Sequence, residues 1–190
     1  MRKIVNSTYI TLDGVIEEPH RWPALPGGGA AEADAIQAEL LRRCDSVLLG
    51  RRTYEVFAPV WPTYEGEVAD RMNAATKVIV SSTLTDPAWG PASVISDDVP
   101  ARIGALKDQP GLDIVQYGFG SVTRQLLEHR LLDELHLWIY PLTIGTPSPE
   151  DLIGLHTRPA FFSPQRTQML SNGIVIIRYS VLNARSGTRL

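Results

Sequence analysis

Three short blocks of the sequence carry residue types that bind phosphate. Each block follows a predicted strand, and the first two of these strands are short apolar runs typical of a buried strand. The blocks are Gly50-Arg51-Arg52-Thr53, Ser81-Ser82-Thr83 and Gly118-Phe119-Gly120-Ser121. Glycine lets the backbone approach an anion closely, arginine donates charge-assisted hydrogen bonds in a fork, and hydroxyl groups donate further ones. A dinucleotide cofactor needs such groups at several places at once, so the coincidence of the three blocks indicates a dinucleotide site.

Each block, taken alone, also admits a plainer interpretation. The arginines could be solvated residues in a first helical turn, and the serines could simply end a strand. The glycines could form an ordinary turn, since the third glycine of a Rossmann fingerprint is missing after Gly120. Two arginines at a helix N-terminus are, however, unfavourable against the helix dipole unless an anion lies nearby. This electrostatic argument favours phosphate binding.

The elements that would position these blocks alternate between strands and helices. Strands are predicted at 3–12, 46–49, 77–80, 93–96 and 113–117, and helices at about 30–44, 52–58, 66–74, 99–108 and 121–129. Such alternation predicts an α/β sheet with parallel pairs. In an open sheet of this kind ligands bind in the crevice outside the carboxyl ends of the strands, which is where the three blocks would lie.

In the last third of the chain the apolar residues alternate with polar or aromatic ones, and this period is typical of strands. Alternation from residue 133 predicts a strand at 133–140, and two further β-like runs, at 161–170 and 174–182, meet at Asn172-Gly173, a preferred type I′ turn pair. The sheet is therefore expected to end in antiparallel strands. The strand at 133–140 would present His136, Trp138 and Tyr140 on one face, and this aromatic surface predicts a homodimer.

Composition limits the class of protein. The 190 residues are 44% hydrophobic and 21% charged, which predicts one globular domain over 1–190 with a frayed tail at 185–190. A net charge of −3 excludes a strong field for nucleic acid or an anionic membrane. The lone Cys44, the spacing of the four histidines and the absence of a long apolar segment predict a metal-free cytoplasmic protein without membrane spans.

Several motifs together resemble the dihydrofolate-reductase-like superfamily. They are Asp13-Gly14, LLGRRTYE at 48–55, VIVSSTL at 78–84, YGFGS at 117–121 and LLEHRLLDEL at 126–135. Within that superfamily the chain most resembles stand-alone relatives of the C-terminal reductase domain of the riboflavin-biosynthesis deaminase–reductase, over residues 3–182. The resemblance implies a three-layer fold, with a central and mostly parallel sheet, an antiparallel C-terminal hairpin, and NADPH across the strand ends.

The same resemblance implies roles for individual residues. The pyrophosphate and the 2′-phosphate region would be held by Gly50, Arg51, Arg52 and Thr53, the adenosine flanked by Ser81 and Ser82, and the pyrophosphate cradled from its other side by Gly118, Gly120 and Ser121. The chain departs from the family at Ser82, where relatives commonly carry an arginine. It also departs in the loop 143–149, where two prolines replace a Gly-x-Gly pattern.

Asp34 is the candidate catalytic acid. It lies 16 positions before Gly50, the spacing of the carboxylate that binds the pterin ring in dihydrofolate reductases. A carboxylate there could bind the ring N–H groups of a substrate and donate a proton. The alternative is a solvated acid on a helix. Nearby aromatic residues could stack on a planar ring or seal the edge of the core, namely Trp22, Tyr54, Trp61 and Tyr64.

These residues lead to two functional hypotheses. The first is an NADPH-dependent reductase that transfers a hydride to a small planar heterocycle of pterin or aminopyrimidine type, such as the riboflavin-pathway 5-amino-6-(5-phosphoribosylamino)uracil. The loop 13–29, rich in proline and glycine, would then close over the site as a flap. The second is a nucleotide-binding regulatory or structural module that has kept the fold and lost catalysis.

Overall fold

A central sheet organises the computed structural model, which describes residues 1–145, 148–154 and 158–182. Its eight strands are β1 (Ile4–Thr11), β2 (Cys44–Gly50), β3 (Thr76–Val80), β4 (Ala92–Ile95), β5 (Asp113–Tyr117), β6 (Glu134–Tyr140), β7 (Phe161–Met169) and β8 (Val175–Leu182). The described α-helices are α1 (Ala30–Arg42), α2 (Arg51–Phe57), α3 (Glu67–Ala74), α4 (Val99–Asp108) and α5 (Ser121–Glu128). Among the described residues, every helix is too short or too polar to span a bilayer.

The strands lie in the order β4-β3-β2-β5-β1-β6-β8-β7. Neighbours from β4 to β6 are parallel, whereas β8 runs antiparallel to β6 and to β7. Parallel strands are buried on both faces, which explains the continuous apolar stretches at 47–49 in β2 and 78–80 in β3. The predicted α/β class, a mostly parallel sheet with an antiparallel C-terminal hairpin, is confirmed.

Helices cover both faces of the sheet and make three layers. On one face Leu40 of α1 and Met72 of α3 pack with Val47 of β2. On the other face Ile103 of α4 and Leu126 of α5 pack with the next residue along β2, Leu48. Successive strand residues point to opposite faces, so each face has its own buried apolar core.

The turn between β7 and β8 differs from the predicted type I′. Gly173 N–H donates to the Leu170 carbonyl at 3.0 Å and Leu170 N–H to the Ile174 carbonyl at 2.8 Å, which makes a three-residue loop. Only Gly173 has a positive φ, +83°, whereas type I′ would also require one at Asn172. Asn172 Nδ2 instead donates to the Gly28 carbonyl at 3.0 Å, so a contact with the loop before α1 takes part in fixing this turn.

The face of β6 that was predicted to form the dimer surface is covered by the protein itself, so this part of the prediction is wrong. Trp138 is 1% exposed and packs against Ile36 of α1, and His136, on the same side of β6, is also buried. The opposite face of β6 is more open, because Leu137 and Ile139 are half-buried beside Ile177 of β8 and belong to none of the buried clusters. The sequence alternation identified two faces but not which of them α1 covers.

The Asp133-Glu134 pair of the LLEHRLLDEL motif is structural. Asp133 Oδ2 accepts hydrogen bonds from Ile4 N–H at 2.7 Å and from the buried ammonium of Lys107 at 2.5 Å. Hydrogen bonding by His136 lowers the pKa of Glu134, and Lys3 and Arg43 lower it further. These contacts lie where β1 and β6 begin, so this end of the motif anchors the amino edge of the sheet and not the crevice.

Replacing Asp133 by asparagine is expected to reduce the free energy of unfolding by about 2 kcal/mol, because Lys107 loses its charged partner in a buried position. Urea denaturation followed by circular dichroism measures the change. Asp97→Asn is the matched control, since its ion pair with Arg102 is solvent-exposed and should contribute under about 1 kcal/mol. Equal losses in both variants would contradict the structural role of Asp133.

Candidate functional site

The three phosphate-type blocks lie side by side at the carboxyl edge of the sheet. β3, β2 and β5 are neighbours in that order, and each block follows one of them. A Cβ placed on Gly118 would lie 3.3 Å from Thr53 Oγ1, so the blocks after β5 and β2 are in contact. One placed on Gly50 would lie 3.4 Å from a methyl group of Val122 in α5. The structure thus brings the predicted cofactor residues to one crevice.

The block after β2 forms the start of α2. Gly50 is the N-cap, and no side chain caps the helix, so N–H groups of its first turn stay open. Arg51 Nη1 donates to Thr83 Oγ1 at 2.6 Å, which ties this block to the one after β3, and its Nε donates to Glu55 at 2.6 Å. Arg52 is exposed and has no ion pair or hydrogen bond within the described part of the chain. All the hydrogen-bond donors of the Arg52 guanidinium are therefore available to bind an anion.

The two serines after β3 differ in their surroundings. Ser81 is buried, and its Oγ accepts hydrogen bonds from the N–H groups of Thr83 at 3.2 Å and Leu84 at 2.9 Å. Its side chain therefore shapes the loop. Ser82 is exposed in the same loop, so its hydroxyl is the more accessible of the two.

The block after β5 is a glycine turn that opens into α5. Gly118 has φ +82°, a conformation that favours glycine. Gly120 is the N-cap of α5, and a Cβ placed on it would have open space around it. No side chain caps this helix. Ser121, its first residue, is exposed. A helix N-terminus with open N–H groups carries a partial positive charge that suits a phosphate.

A row of aromatic side chains runs along the same edge on the α1 side of the sheet. We call it the aromatic row, and its members are Trp22, Tyr140, Tyr9, Tyr117, Phe57, Trp61 and Tyr64. Ring centroids of successive members lie 5.2 to 5.8 Å apart on either side of one interruption. At that interruption Gln37 of α1 accepts a hydrogen bond from the Tyr117 hydroxyl at 3.3 Å and donates to the Tyr9 hydroxyl at 3.4 Å. Gln37 thus joins the two halves of the row.

Asp34 lies one helical turn before Gln37, on the same face of α1, and is exposed. Burial raises the pKa of Tyr9, and the charge of Asp34 raises it further, which places the carboxylate within electrostatic range of the row. The surroundings therefore combine one open carboxylate, a buried amide and half-buried rings. These are the groups that orient a flat polar heterocycle.

Of the aromatic residues considered from the sequence, Trp22, Trp61 and Tyr64 lie in the row, whereas Tyr54 does not. Tyr54 is buried, and its hydroxyl accepts a hydrogen bond from Trp89 N–H at 2.9 Å. The sequence reasoning missed Gln37, Phe57 and three tyrosines of the row. Two of these tyrosines, Tyr117 and Tyr140, stand at the last position of a strand, and this position was the available signal.

Asp13 joins the loops that follow β1 and β6. Its carboxylate accepts hydrogen bonds from the Thr11 hydroxyl and from the N–H of Gly145 at 2.7 Å and Ile144 at 3.2 Å, and these bonds lower its pKa. Val15 forms a β-bridge with Leu152. The loop 13–29 is thus tied down near its start. Of the loop 143–149, residues 146–147 lie outside the described residues, as does the tail 185–190.

Within residues 1–145, 148–154 and 158–182, no three His, Cys, Asp or Glu side chains come together as metal ligands. His156, one of the four histidines weighed above, lies outside the described residues.

Comparison with known proteins adds a family. Residues 2–176 match the family model described as the RibD C-terminal domain. The uncharacterized protein YyaP of Bacillus subtilis (strain 168) is 26% identical over 156 residues, which is 78% of this chain and 79% of YyaP. The match to the family model extends over nearly the whole described chain.

Two solved structures share the fold at 16% sequence identity. One is a putative riboflavin biosynthesis protein from Shewanella sp. PV-4, with a TM-score of 0.70 over 94% of this chain and 98% of that one. The other is a pyrimidine reductase-like protein from Corynebacterium diphtheriae, with a TM-score of 0.61 over 96% of this chain and 93% of that one. At this identity the likeness concerns the fold.

Proposed function

The chain belongs to the family of the RibD C-terminal domain, and from this membership we propose that it is a reductase that transfers a hydride from NADPH to a small planar heterocycle. The family and the fold neighbours point to a reductase-like oxidoreductase. The observation that carries the proposal is the meeting of three anion-suited loops beside an aromatic row with one open carboxylate.

The groups at the crevice fit a dinucleotide. The open N–H groups at the starts of α2 and α5 would hold a pyrophosphate from two sides, and the unpaired Arg52 would neutralise a phosphate. Arg51 is fixed by Thr83, so the blocks after β2 and β3 form one surface for the adenosine end. When bound, NADPH would supply the hydride, and the protein's part is to hold the nicotinamide against the substrate and exclude water.

The aromatic row and Asp34 fit the substrate. A pterin or an aminopyrimidine presents adjacent N–H and amino donors that one carboxylate accepts together. We assign this contact to Asp34, and with it the placement or transfer of the proton that accompanies hydride transfer. The names of the two fold neighbours, one for riboflavin biosynthesis and one for pyrimidine reduction, support 5-amino-6-(5-phosphoribosylamino)uracil as a substrate to test.

Two assays separate this function from a binding module without catalysis. Nicotinamide fluorescence measures whether NADPH binds, and the loss of absorbance at 340 nm measures whether it is oxidised in the presence of each candidate heterocycle. Binding with oxidation is the expected result. Binding without oxidation of any pterin or aminopyrimidine would favour the regulatory or structural module, and no binding would contradict both.

We also propose that the protein is a homodimer. Its contact surface would be the open face of β6 and β8, which replaces the face predicted from the sequence. Leu137, Ile139 and Ile177 form a half-buried apolar surface there. Ile177→Glu would place a charge in that surface and is expected to yield folded monomers, whereas wild type should scatter light as twice the 20.9 kDa of one chain. Leu112→Glu, an exposed leucine outside the strands, is the control and should stay dimeric. A wild-type mass of one chain across the micromolar range would refute the dimer.

A cytoplasmic location remains part of the proposal. Cys44 is buried, and burial raises the pKa of its thiol to about 12, so the thiol is protonated and inert. An unpaired buried thiol suits a reducing compartment.

A further inference from the structure

The Gly118 carbonyl lies within hydrogen-bond distance of three side-chain donors. They are Asn6 Nδ2 at 2.7 Å, Gln116 Nε2 at 2.9 Å and Thr123 Oγ1 at 3.0 Å. The three side chains come from β1, β5 and α5, and each exposes at most 1% of its surface. No water competes for such buried groups, so their hydrogen bonds fix the direction of the carbonyl.

The orientation of the two amides follows from the network. A carbonyl oxygen only accepts, so the amide atoms that face it must be nitrogens. Thr8 Oγ1 donates to Asn6 Oδ1 at 2.7 Å, which leaves Asn6 Nδ2 for Gly118. Asn6 Nδ2 also donates to Gln116 Oε1. The single hydroxyl proton of Thr123 is shared between Gln116 Oε1 and the Gly118 carbonyl, each 3.0 Å from Oγ1. Each donor is therefore held by a second member of the network.

The pinned carbonyl determines where the next N–H points. In a trans peptide the carbonyl of one residue and the N–H of the next point in opposite directions, so the N–H of Phe119 points away from the network. Neither Phe119 N–H nor Gly120 N–H has an acceptor within the described part of the chain. Two adjacent N–H groups thus stay free between the carboxyl end of β5 and α5.

We propose that Asn6, Gln116 and Thr123 are positioning residues, which hold the Gly118 carbonyl inward so that the N–H group of Phe119, next to the free N–H group of Gly120, is aimed at the pyrophosphate of the cofactor. This inference rests on the proposed function, because the pyrophosphate is that of NADPH. It adds buried residues of β1, β5 and α5 to a site otherwise assigned to the three blocks at the strand ends. The effect is preorganisation, because a loop that is already ordered loses less conformational entropy when the anion binds.

Thr123→Val is the sharpest test, since it keeps the shape of the side chain and removes one donor. We expect NADPH affinity to fall roughly fivefold to tenfold, the effect of about one hydrogen bond. Thr123→Ser restores the hydroxyl and should stay within about twofold of wild type. Ser46→Ala is the matched control, because it removes a buried hydroxyl near the start of β2, at the opposite edge of the sheet, and should leave the affinity unchanged.

A second ligand separates positioning from general loosening. Adenosine 2′-phosphate has no pyrophosphate, so its affinity, measured by competition against NADPH, should be the same in wild type and Thr123→Val. If wild type and Thr123→Val bind NADPH equally well, this inference is overturned and the proposed function stays intact. An equal loss for both ligands would also overturn it. Wild type that does not bind NADPH would refute the proposed function itself.

Hydrogen exchange on the wild-type protein keeps the test independent of any variant's folding. The amide protons of Phe119 and Gly120 should exchange rapidly in the free protein, because they have no acceptor, and should be protected by saturating NADPH. Exchange at these two amides that NADPH leaves unchanged, in a protein that binds it, would contradict the assigned direction of these N–H groups.

Discussion

Asp34→Asn is expected to lower turnover by a factor of roughly 10²–10⁴, the usual contribution of general acid–base help, and to leave NADPH affinity within about twofold. The substitution keeps the size of the side chain and removes its charge. Asp34 lies beside the aromatic row and not in the three cofactor blocks, so only the substrate end of the site changes. The free energy of unfolding should shift by less than about 0.5 kcal/mol, because the residue is exposed.

The measurement is the rate of NADPH oxidation with saturating heterocycle, and Asp70→Asn is the control. Asp70 is an exposed aspartate in the first turn of α3, and its substitution should not affect the rate. Rates within twofold of wild type for Asp34→Asn would remove the proton-donor role from Asp34. The protein would then position the hydride without an essential side-chain acid.

The double substitution Arg51→Glu, Arg52→Glu is expected to weaken NADPH binding roughly tenfold to hundredfold, since each charge-assisted hydrogen bond contributes about 1.5–3 kcal/mol. Arg52 alone should account for most of the loss, because Arg51 is already engaged with Thr83 and Glu55. Nicotinamide fluorescence measures the affinity, and circular dichroism checks the fold.

Arg102→Glu separates a local contact from a change in net charge. Arg102 is exposed on α4 and paired with Asp97, so its reversal changes the protein charge as much as Arg52→Glu does. If Arg102→Glu and Arg52→Glu weaken binding equally, the effect is long-range and Arg52 does not touch the cofactor. Direct contact would be supported if Arg52→Glu weakens NADPH binding more than Arg102→Glu does, and if this difference in affinity becomes smaller at high salt without disappearing.

The sequence predicted the elements well where local pattern decides. The predicted strands before Gly50, Ser81 and Gly118 are present in the structure. They are parallel because α2 and α3 return the chain from β2 to β3, and α4 returns it from β4 to β5. Because the three strands are parallel, the phosphate-type blocks that follow them lie at one edge of the sheet, as predicted.

Features that depend on distant contacts could not be predicted in the same way. The turn at Asn172 differs from type I′ in a region where its side chain bonds to Gly28, 144 residues away. The aromatic row could not be predicted because its members come together only in the folded sheet. Tyr9 and Tyr117 are far apart in sequence, and the pairing of β1 with β5 brings both hydroxyls to the side chain of Gln37. The dimer surface was assigned to the face that α1 covers, since alternation defines faces without saying what packs on them.

A co-crystal structure with NADPH tests the central claim most directly. The account predicts the pyrophosphate between Gly50–Thr53 and Gly118–Ser121, the 2′-phosphate within hydrogen-bond distance of Arg52, and the nicotinamide facing the aromatic row on the side of Asp34. Density for NADPH away from the carboxyl edge of β3, β2 and β5, or no density at saturating concentration, would contradict it.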